Sequence, residues 1–135
     1  MLLPYMIDWI YHLSKVFKAN ITPEYAGVIF PVFMFALTIL AFFFFVREIF
    51  LDNGKEYRLK ANVIGLISTA FMVVIPVLLS RTIAGIPEKE SAGFFFMFLA
   101  FYFFIRSFKS DKLRNVIILG VFSGLMTGMM GLIWG

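Results

Sequence analysis

The amino-acid sequence predicts an all-α membrane protein with about four transmembrane helices preceded by an interfacial helix. Of its 135 residues, 61% are hydrophobic and 15% are charged. A soluble domain of this size has too little interior to bury so much apolar surface. The apolar residues fall in long runs, and a helix of about 20 apolar residues can cross the hydrocarbon core of a bilayer. Charged residues concentrate in the links between the runs, which is typical of loops outside the bilayer.

Residues 1–20 are expected to lie at the membrane interface. They lack the basic start of a signal peptide, and Asp8 interrupts their apolar run. Tyr5 and Trp9 suit the depth of the lipid headgroups, and Lys15 can reach the polar layer. A short buried helix is the alternative interpretation of this segment.

Four segments are long enough to span a bilayer, and they cover residues 23–46, 61–80, 88–105 and 115–134. We expect Thr22 to cap the first, with Pro23 at the first helical position and Glu24 at the positive end of the helix dipole. Pro76 is expected to bend the second span, which membrane helices tolerate. The third is of adequate length only if it begins near Pro87.

Lysine and arginine predict the orientation of the spans, because both are enriched in cytoplasmic loops. The links 47–60 and 106–114 hold eight of the 12 basic residues and are expected to face the cytoplasm. The N-terminal segment and the link 81–90 hold the other four, so this link is predicted to be extracytoplasmic in a multi-pass protein of the cell membrane. The net charge of +4 therefore reflects membrane topology and indicates no nucleic-acid partner. The eight inward-facing residues are Arg47, Lys55, Arg58, Lys60, Arg106, Lys109, Lys112 and Arg114.

Composition excludes some metal sites. The chain has no cysteine, so it holds neither a disulfide nor a thiolate metal site. Its single histidine, His12, excludes a site built from several histidines.

The fourth span carries glycines spaced four residues apart, at Gly120, Gly124 and Gly128. This spacing lets membrane helices approach closely, so it predicts that the helix packs against protein. It indicates no particular function.

Glu88 and Glu90 give the external link its chemical interest. If Pro87 starts the third helix, both carboxylates lie in its first turn, where the helix dipole favours negative charge. Helical residues two apart point about 200° away from each other, so the pair is poorly placed to chelate one ion. One carboxylate could reach into a site while the other pairs with a cation such as Arg81. Mg²⁺ or Mn²⁺ would suit a carboxylate but needs further ligands from elsewhere, and a solvated link whose charges cap a helix is the alternative.

The order of these features carries a family resemblance. An interfacial segment with the sequence PYMIDWIY precedes a span containing FPVFMFALT, a basic link and a second span. There follow the link SRTIAGIPEKE, a Phe-rich span, another basic link and a glycine-rich span ending in GLIWG. The whole chain resembles the N-terminal part of the transmembrane domain of the oligosaccharyltransferase catalytic subunit, most closely its archaeal form.

The resemblance implies a function and roles for the residues of the external link. The family transfers a glycan from a dolichol-linked phosphate or pyrophosphate carrier to Asn in an Asn-x-Ser/Thr acceptor protein. Its external link carries an arginine, a small residue followed by glycine, and two acidic residues, matched here by Ala84-Gly85 and its neighbours. By resemblance, Glu88 takes the place of a ligand of Mn²⁺ or Mg²⁺, and Glu90 that of a carboxylate that organises the catalytic pocket. Arg81 takes the place of the arginine that supports the second carboxylate.

The implied reaction is attack by the acceptor amide nitrogen on the anomeric carbon of the sugar. Amide nitrogen is a poor nucleophile, so carboxylates that accept hydrogen bonds from its N–H groups would help to expose its lone pair. A metal ion would stabilise the charge that develops on the leaving phosphate oxygen.

The sequence also departs from the family pattern. The first acidic position is Glu88 in place of the usual Asp, and Pro87 precedes it. The first acidic external loop of the family, a later acidic residue of its metal site and its Trp-Trp-Asp-Tyr-Gly motif have no counterpart in residues 1–135. We therefore expect part of a longer or split transferase, inactive without the remainder.

Two other interpretations compete with this one. The chain could be a small non-catalytic polytopic membrane protein, which would need neither metal nor lipid-linked sugar. It could also be a fragment of a different glycosyltransferase that uses a lipid-phosphate sugar.

Overall fold

The structure, a computed structural model, describes residues 2–17, 22–52, 55–85 and 88–134. Helices account for nearly all of these ranges, which contain no strand, and the all-α prediction is confirmed. The helices are Leu3–Phe17 (α1), Pro23–Phe50 (α2), Lys55–Val73 (α3), Pro76–Ser80 (α4), Lys89–Phe108 (α5) and Leu113–Trp134 (α6).

Helix α2 begins where the sequence predicts. The side chain of Thr22 accepts a hydrogen bond from the backbone N–H of Tyr25 at 3.4 Å, and Pro23 is the first helical residue. The helix ends at Phe50, four residues beyond the predicted 46, because the polar residues after the apolar run also find partners. Arg47 donates a 2.6 Å hydrogen bond to the side chain of Asn62 in α3, and Glu48 is buried.

The second predicted span is helical but interrupted. Val74 and Ile75 separate α3 from α4, and their backbone N–H groups each reach back three residues, a tighter closure than the four-residue bond of an α-helix. Pro76 explains the break, because its ring clashes with the preceding turn and it has no N–H to donate. The sequence predicts a bend at Pro76 within residues 61–80, and the structure has an interruption of the helix at this place.

Within the described part of the chain, three helices are long and apolar enough to cross a membrane, namely α2, α5 and α6. Helix α3 differs because its first turns, from Lys55, lie in the basic link. It ends at Val73, before the apolar run is complete. Helices α5 and α6 extend beyond the predicted 88–105 and 115–134 at their basic ends, to Phe108 and from Leu113. Polar residues beside an apolar run are thus helical here, a property that hydropathy alone does not detect.

Ring contacts show that α2 and α5 run parallel to each other. Phe42 packs edge-on against Phe98 with ring centroids 4.9 Å apart, and Phe45 lies 5.6 Å from Phe101. Residue numbers thus increase in the same direction along both helices. The first and third apolar segments therefore enter the bundle from the same end.

Helix α6 runs antiparallel to α5. Ser107 donates a hydrogen bond to the carbonyl oxygen of Val116, and Ser123 donates one to that of Ala100, each at 3.0 Å. Later residues of α6 thus contact earlier residues of α5. These side-chain hydroxyls also join the helices through polar groups that would be costly to bury unpaired in an apolar layer.

The two basic links meet at one end of the bundle, here called the basic end. Lys109 Nζ donates hydrogen bonds to the backbone carbonyls of Glu48, Ile49 and Leu51 at 2.5, 3.0 and 2.7 Å. These carbonyls lie at the C-terminal end of α2, where the helix leaves its last acceptors unpaired and its dipole favours a cation. Lys109 thereby fastens the link after α5 to the end of α2.

The opposite end of the bundle, here called the outer end, holds α1 and the described part of the link 81–90. The backbone N–H of Leu2 donates to the carbonyl of Leu132 at 3.1 Å, and that of Gly85 donates to Val28 at 3.2 Å. Helix α1 covers a buried cluster at this end and leaves Tyr5 and Trp9 exposed. The cluster consists of Ile10, Ala26, Phe30, Met34, Ala92, Phe96 and Ile133.

The glycines of α6 do not contact another helix of the described chain. A Cβ placed on Gly120, Gly124 or Gly128 would have no neighbouring atom within 4 Å. The packed face of α6 instead uses residues such as Ser123 and Ile133. The predicted packing of α6 against protein is thus confirmed by its contact with α5, but these three glycines do not form that contact.

The arrangement of links leads to a topology experiment on single-cysteine variants, which the absence of native cysteine makes straightforward. Ile83 and Asp111 are both exposed, at the outer end and the basic end. We expect a membrane-impermeant maleimide to label Ile83→Cys in intact cells and Asp111→Cys only after permeabilisation. The reverse pattern would contradict the extracytoplasmic placement of the link 81–90.

The contacts of Lys109 lead to a stability experiment. Lys109→Met removes a charged donor from three carbonyls, and loss of hydrogen bonds to a charged group costs about 1–3 kcal/mol. We therefore expect a lower midpoint of thermal unfolding in detergent. Lys112→Met removes the same charge from an exposed residue of the same link and is the matched control. Equal midpoints for the two variants would show that Lys109 does not stabilise the end of α2.

Candidate functional site

The link 81–90 begins with a closed turn at the end of α4. The backbone N–H of Arg81 donates to the carbonyl of Leu78 at 3.2 Å, and the hydroxyl of Thr82 donates to the same carbonyl at 3.0 Å. Because these bonds satisfy an acceptor that the end of a short helix leaves open, the chain turns away from α4 at a defined place. Arg81 follows directly and its side chain is exposed.

Gly85 holds the middle of the link against α2. Its backbone has φ of +98°, a conformation that residues with a Cβ rarely adopt. In this conformation its N–H reaches the carbonyl of Val28, 3.2 Å away. The resemblance matched Ala84-Gly85 to a small residue followed by glycine, and the structure supplies a physical reason for glycine at the second position.

An ion pair joins the two ends of the link. Arg81 Nη1 donates to Glu88 Oε2 at 3.0 Å, across seven residues of sequence. The side chain of Arg81 is 50% exposed and that of Glu88 is 28% exposed. An exposed ion pair contributes little to stability, so its main effect here is to orient the carboxylate.

Glu88 and Glu90 occupy different positions relative to α5. The helix begins at Lys89, and Glu88 precedes it as the N-cap residue with extended backbone. Its carbonyl accepts hydrogen bonds from Ser91, at 2.7 Å from the hydroxyl and 3.3 Å from the backbone N–H. The expectation that both carboxylates lie in the first turn is therefore wrong for Glu88 and holds for Glu90. Pro87, the expected first helical residue, lies outside the described residues.

The link carboxylates also act on the charge of Arg81. The hydrogen bond to Glu88 and the charge of that carboxylate raise the pKa of Arg81, and the charge of Glu90 adds to the shift. Because this pKa is raised, the attraction between Arg81 and the two carboxylates is fully present at any pH below the ordinary pKa of arginine. It is lost only as the pH rises through the shifted value. Arg81 therefore remains a guanidinium throughout the pH range of ordinary assays.

The structure brings together the three residues singled out in the sequence, with one difference in pairing. The resemblance assigned the arginine to support of the second carboxylate, Glu90, whereas the direct contact of Arg81 is with Glu88. Glu90 lies close enough to influence Arg81 through its charge. The guanidinium of Arg81 thus contacts Glu88 directly and interacts with Glu90 through its charge alone.

The carboxylates of the link suit a hard divalent cation as ligands, but they are too few to form a complete metal site. Carboxylate oxygens are the preferred protein ligands of Mg²⁺ and Mn²⁺. Among the described residues, however, no three Asp, Glu, His or Cys side chains are grouped as a metal site would require. The ion pair already engages Oε2 of Glu88, so this part of the chain offers at most an incomplete set of ligands.

Comparison with protein families assigns the whole chain to one family. The family model described as oligosaccharyl transferase STT3, N-terminal, matches residues 1–135. The chain belongs to this family. Searches of curated proteins and of solved structures each found no match.

Membership confirms the resemblance inferred from the order of segments. The family is one of oligosaccharyl transferases, so the chain is part of a glycosyltransferase. Family membership and three helices apolar enough to cross a bilayer together identify a multi-pass membrane protein. The general partners of this family are a dolichol-linked oligosaccharide and an acceptor protein.

A contact that sequence reasoning missed holds the first turns of α5. The indole of Trp134 lies against Gly93, where an added Cβ would be 2.8 Å from Nε1 and 3.1 Å from Cε2. The neighbouring residues Ser91 and Ala92 are fully buried. A run of three small residues, Ser91-Ala92-Gly93, was the available signal, since such residues permit close helix contact in membranes.

The contact between Gly93 and Trp134 leads to a paired substitution experiment. Alanine in place of a helical glycine ordinarily stabilises by about 0.5–1 kcal/mol. At Gly93 we expect the reverse, a loss of about 1–3 kcal/mol, because the new methyl group displaces the indole. Gly124→Ala, at an open position of α6, is the control and should be neutral or stabilising.

Thermal unfolding in detergent measures both variants of this pair. A destabilised Gly93→Ala protein beside an unchanged or stabilised Gly124→Ala protein supports the packing. Equal changes in the two midpoints would contradict it.

Proposed function

We propose that the chain supplies the outer acidic link of an enzyme that transfers a glycan from a dolichol-linked carrier to Asn in Asn-x-Ser/Thr. The observation that carries this proposal is the grouping of Arg81, Glu88 and Glu90 at the outer end, remote from both basic links. Family membership supports the reaction class. The lipid-linked donor would approach this end within the bilayer, and the acceptor peptide would approach it from outside.

The proposed topology has four crossings of the cell membrane, with the interrupted pair α3–α4 as the second. The antiparallel contact of α2 with α3 supports it, since Arg47 meets Asn62 while Gly65 lies beside Phe43. The crossing before the external link would then comprise α3 and α4, bent at Pro76. The link 81–90 would be extracytoplasmic, and α1 would lie at the outer membrane interface with Tyr5 and Trp9 at headgroup depth.

In the proposed reaction, the acceptor amide nitrogen forms a bond to the anomeric carbon while the bond from that carbon to the phosphate oxygen breaks. The leaving phosphate keeps the electron pair of the broken bond, and the nitrogen releases one proton to the solvent. We assign Glu90 to the acceptor, because a carboxylate that accepts a hydrogen bond from the amide N–H helps to expose the nitrogen lone pair. Arg81 would orient the acidic pair and limit the repulsion between its two negative charges.

Glu88 is proposed as one ligand of Mn²⁺ or Mg²⁺ in the complete enzyme. Its Oε2 is engaged by Arg81, so Oε1 would be the coordinating oxygen. The remaining ligands would come from outside residues 1–135. A bound divalent cation would supply positive charge next to the leaving phosphate. On this proposal residues 1–135 by themselves transfer no glycan.

The proposal is tested by Glu88→Ala in the complete protein, with transfer to an Asn-x-Thr peptide measured with and without Mn²⁺. We expect transfer to fall about 100-fold or more, the usual effect of removing one electrostatic contributor from an active site. The affinity for Mn²⁺, measured separately by electron paramagnetic resonance, should also fall.

The matched control is Glu24→Ala, which removes an exposed glutamate from the first turn of another helix at the same outer end. Its transfer rate and Mn²⁺ affinity should stay near those of the unmodified protein. Unchanged transfer in Glu88→Ala would remove Glu88 from the active site, and unchanged Mn²⁺ affinity alone would remove it from the metal site.

A further inference from the structure

A cleft at the basic end lies between α2, α5 and the start of α6. Its volume is about 420 Å³, within the usual range for sites that hold small molecules. The polar part of its wall is formed by Arg106, Lys109, Ser110, Asn115 and Glu48, and Ile118 and Leu119 form the apolar part. Neither acidic residue of the proposed glycan-transfer site belongs to it.

The two basic residues of the cleft are engaged in different ways. Lys109 Nζ has three protons, and each is donated to a backbone carbonyl of α2. It therefore contributes charge to the cleft but no free donor. Arg106 donates to the hydroxyl of Tyr102, a neutral partner. No ion pair to Arg106 or Lys109 exists among the residues that the structure describes.

The remaining donors and the charge of the cleft suit an anion. Arg106 keeps further guanidinium N–H groups, and Ser110 and Asn115 add a hydroxyl and an amide group. Two cations and the single carboxylate of Glu48 leave an excess of one positive charge on the wall. Guanidinium groups bind phosphate oxygens through paired hydrogen bonds, so a phosphate group matches this set of donors.

The position of the cleft favours a lipid as the source of the phosphate. Arg106 and Asn115 lie near the adjacent ends of α5 and α6, where two helices able to cross the bilayer meet the basic link. Ile118 and Leu119 continue from the polar wall along α6 into its apolar length and are exposed or half-buried. Donors beside an apolar strip at this depth can hold a headgroup and the start of its acyl chains.

We propose that this cleft binds the phosphodiester headgroup of an anionic phospholipid of the cytoplasmic leaflet. Arg106 is the main phosphate ligand, Ser110 and Asn115 donate to the remaining headgroup oxygens, and the chains lie along Ile118 and Leu119. Lys109 adds positive charge while it holds the end of α2. The bound lipid would thereby bridge the two helices that flank the basic link.

The test measures phospholipid bound to the complete protein by native mass spectrometry in a neutral detergent. The probes are phosphatidylglycerol, phosphatidylcholine and inorganic phosphate. We expect a preference for phosphatidylglycerol that Arg106→Gln lowers about fivefold, which corresponds to about 1 kcal/mol for one basic residue near a membrane surface. Asn115→Ala leaves every charge in place and should also lower the preference for phosphatidylglycerol.

Arg114→Gln is the matched control, because it removes the same charge from an exposed residue of the same link that does not line the cleft. Its affinity for phosphatidylglycerol should remain near that of the unmodified protein. Equal losses in Arg106→Gln and Arg114→Gln would overturn the site in favour of diffuse charge attraction. Equal binding of the two lipids, or binding of inorganic phosphate as tight as that of phosphatidylglycerol, would overturn the assignment to an anionic lipid.

Discussion

Close packing of small residues where α5 meets its neighbours sets the geometry of the outer end. Ser91, Ala92 and Gly93 are buried, and the indole of Trp134 lies directly against the last of them. In an apolar solvent such contacts, together with interhelical hydrogen bonds, replace the hydrophobic effect as the force that holds helices together. Because these residues follow Glu90 directly, the position of the acidic link depends on a contact that carries no charge.

Hydrogen bonds fix the link itself at three points. Its start is tied to the last turn of α4, its middle to α2 through Gly85, and its end to α5 through Ser91. The ion pair from Arg81 to Glu88 closes the loop. A carboxylate held by backbone contacts and a guanidinium needs little reorganisation when a substrate arrives, which is the condition for electrostatic catalysis.

Composition and local chemistry predicted the helical class and the N-cap of α2 at Thr22, because each depends on neighbours in sequence. The roles of Arg81, Glu88 and Glu90 came from the family resemblance and stay predictions. The sequence predicted a bend at Pro76, whereas the structure has a break at Val74 and Ile75. A proline can either bend or interrupt a membrane helix, and the surrounding contacts decide between the two outcomes. The sequence named Arg81 as the partner of one link carboxylate but not which one. The choice of Glu88, and the contact of Trp134 with Gly93, depend on distances between opposite ends of a loop or separate helices. Sequence spacing contains no information on such distances, so these features required the structure.

The two ends of the bundle use helix termini in opposite ways. At the basic end Lys109 neutralises the C-terminal carbonyls of α2, where the helix dipole is negative. At the outer end Glu90 lies in the first turn of α5, where the dipole is positive and stabilises the ionised carboxylate. On the proposed function, a carboxylate at this position would accept hydrogen bonds from the acceptor amide, which is the demand that an amide nucleophile makes.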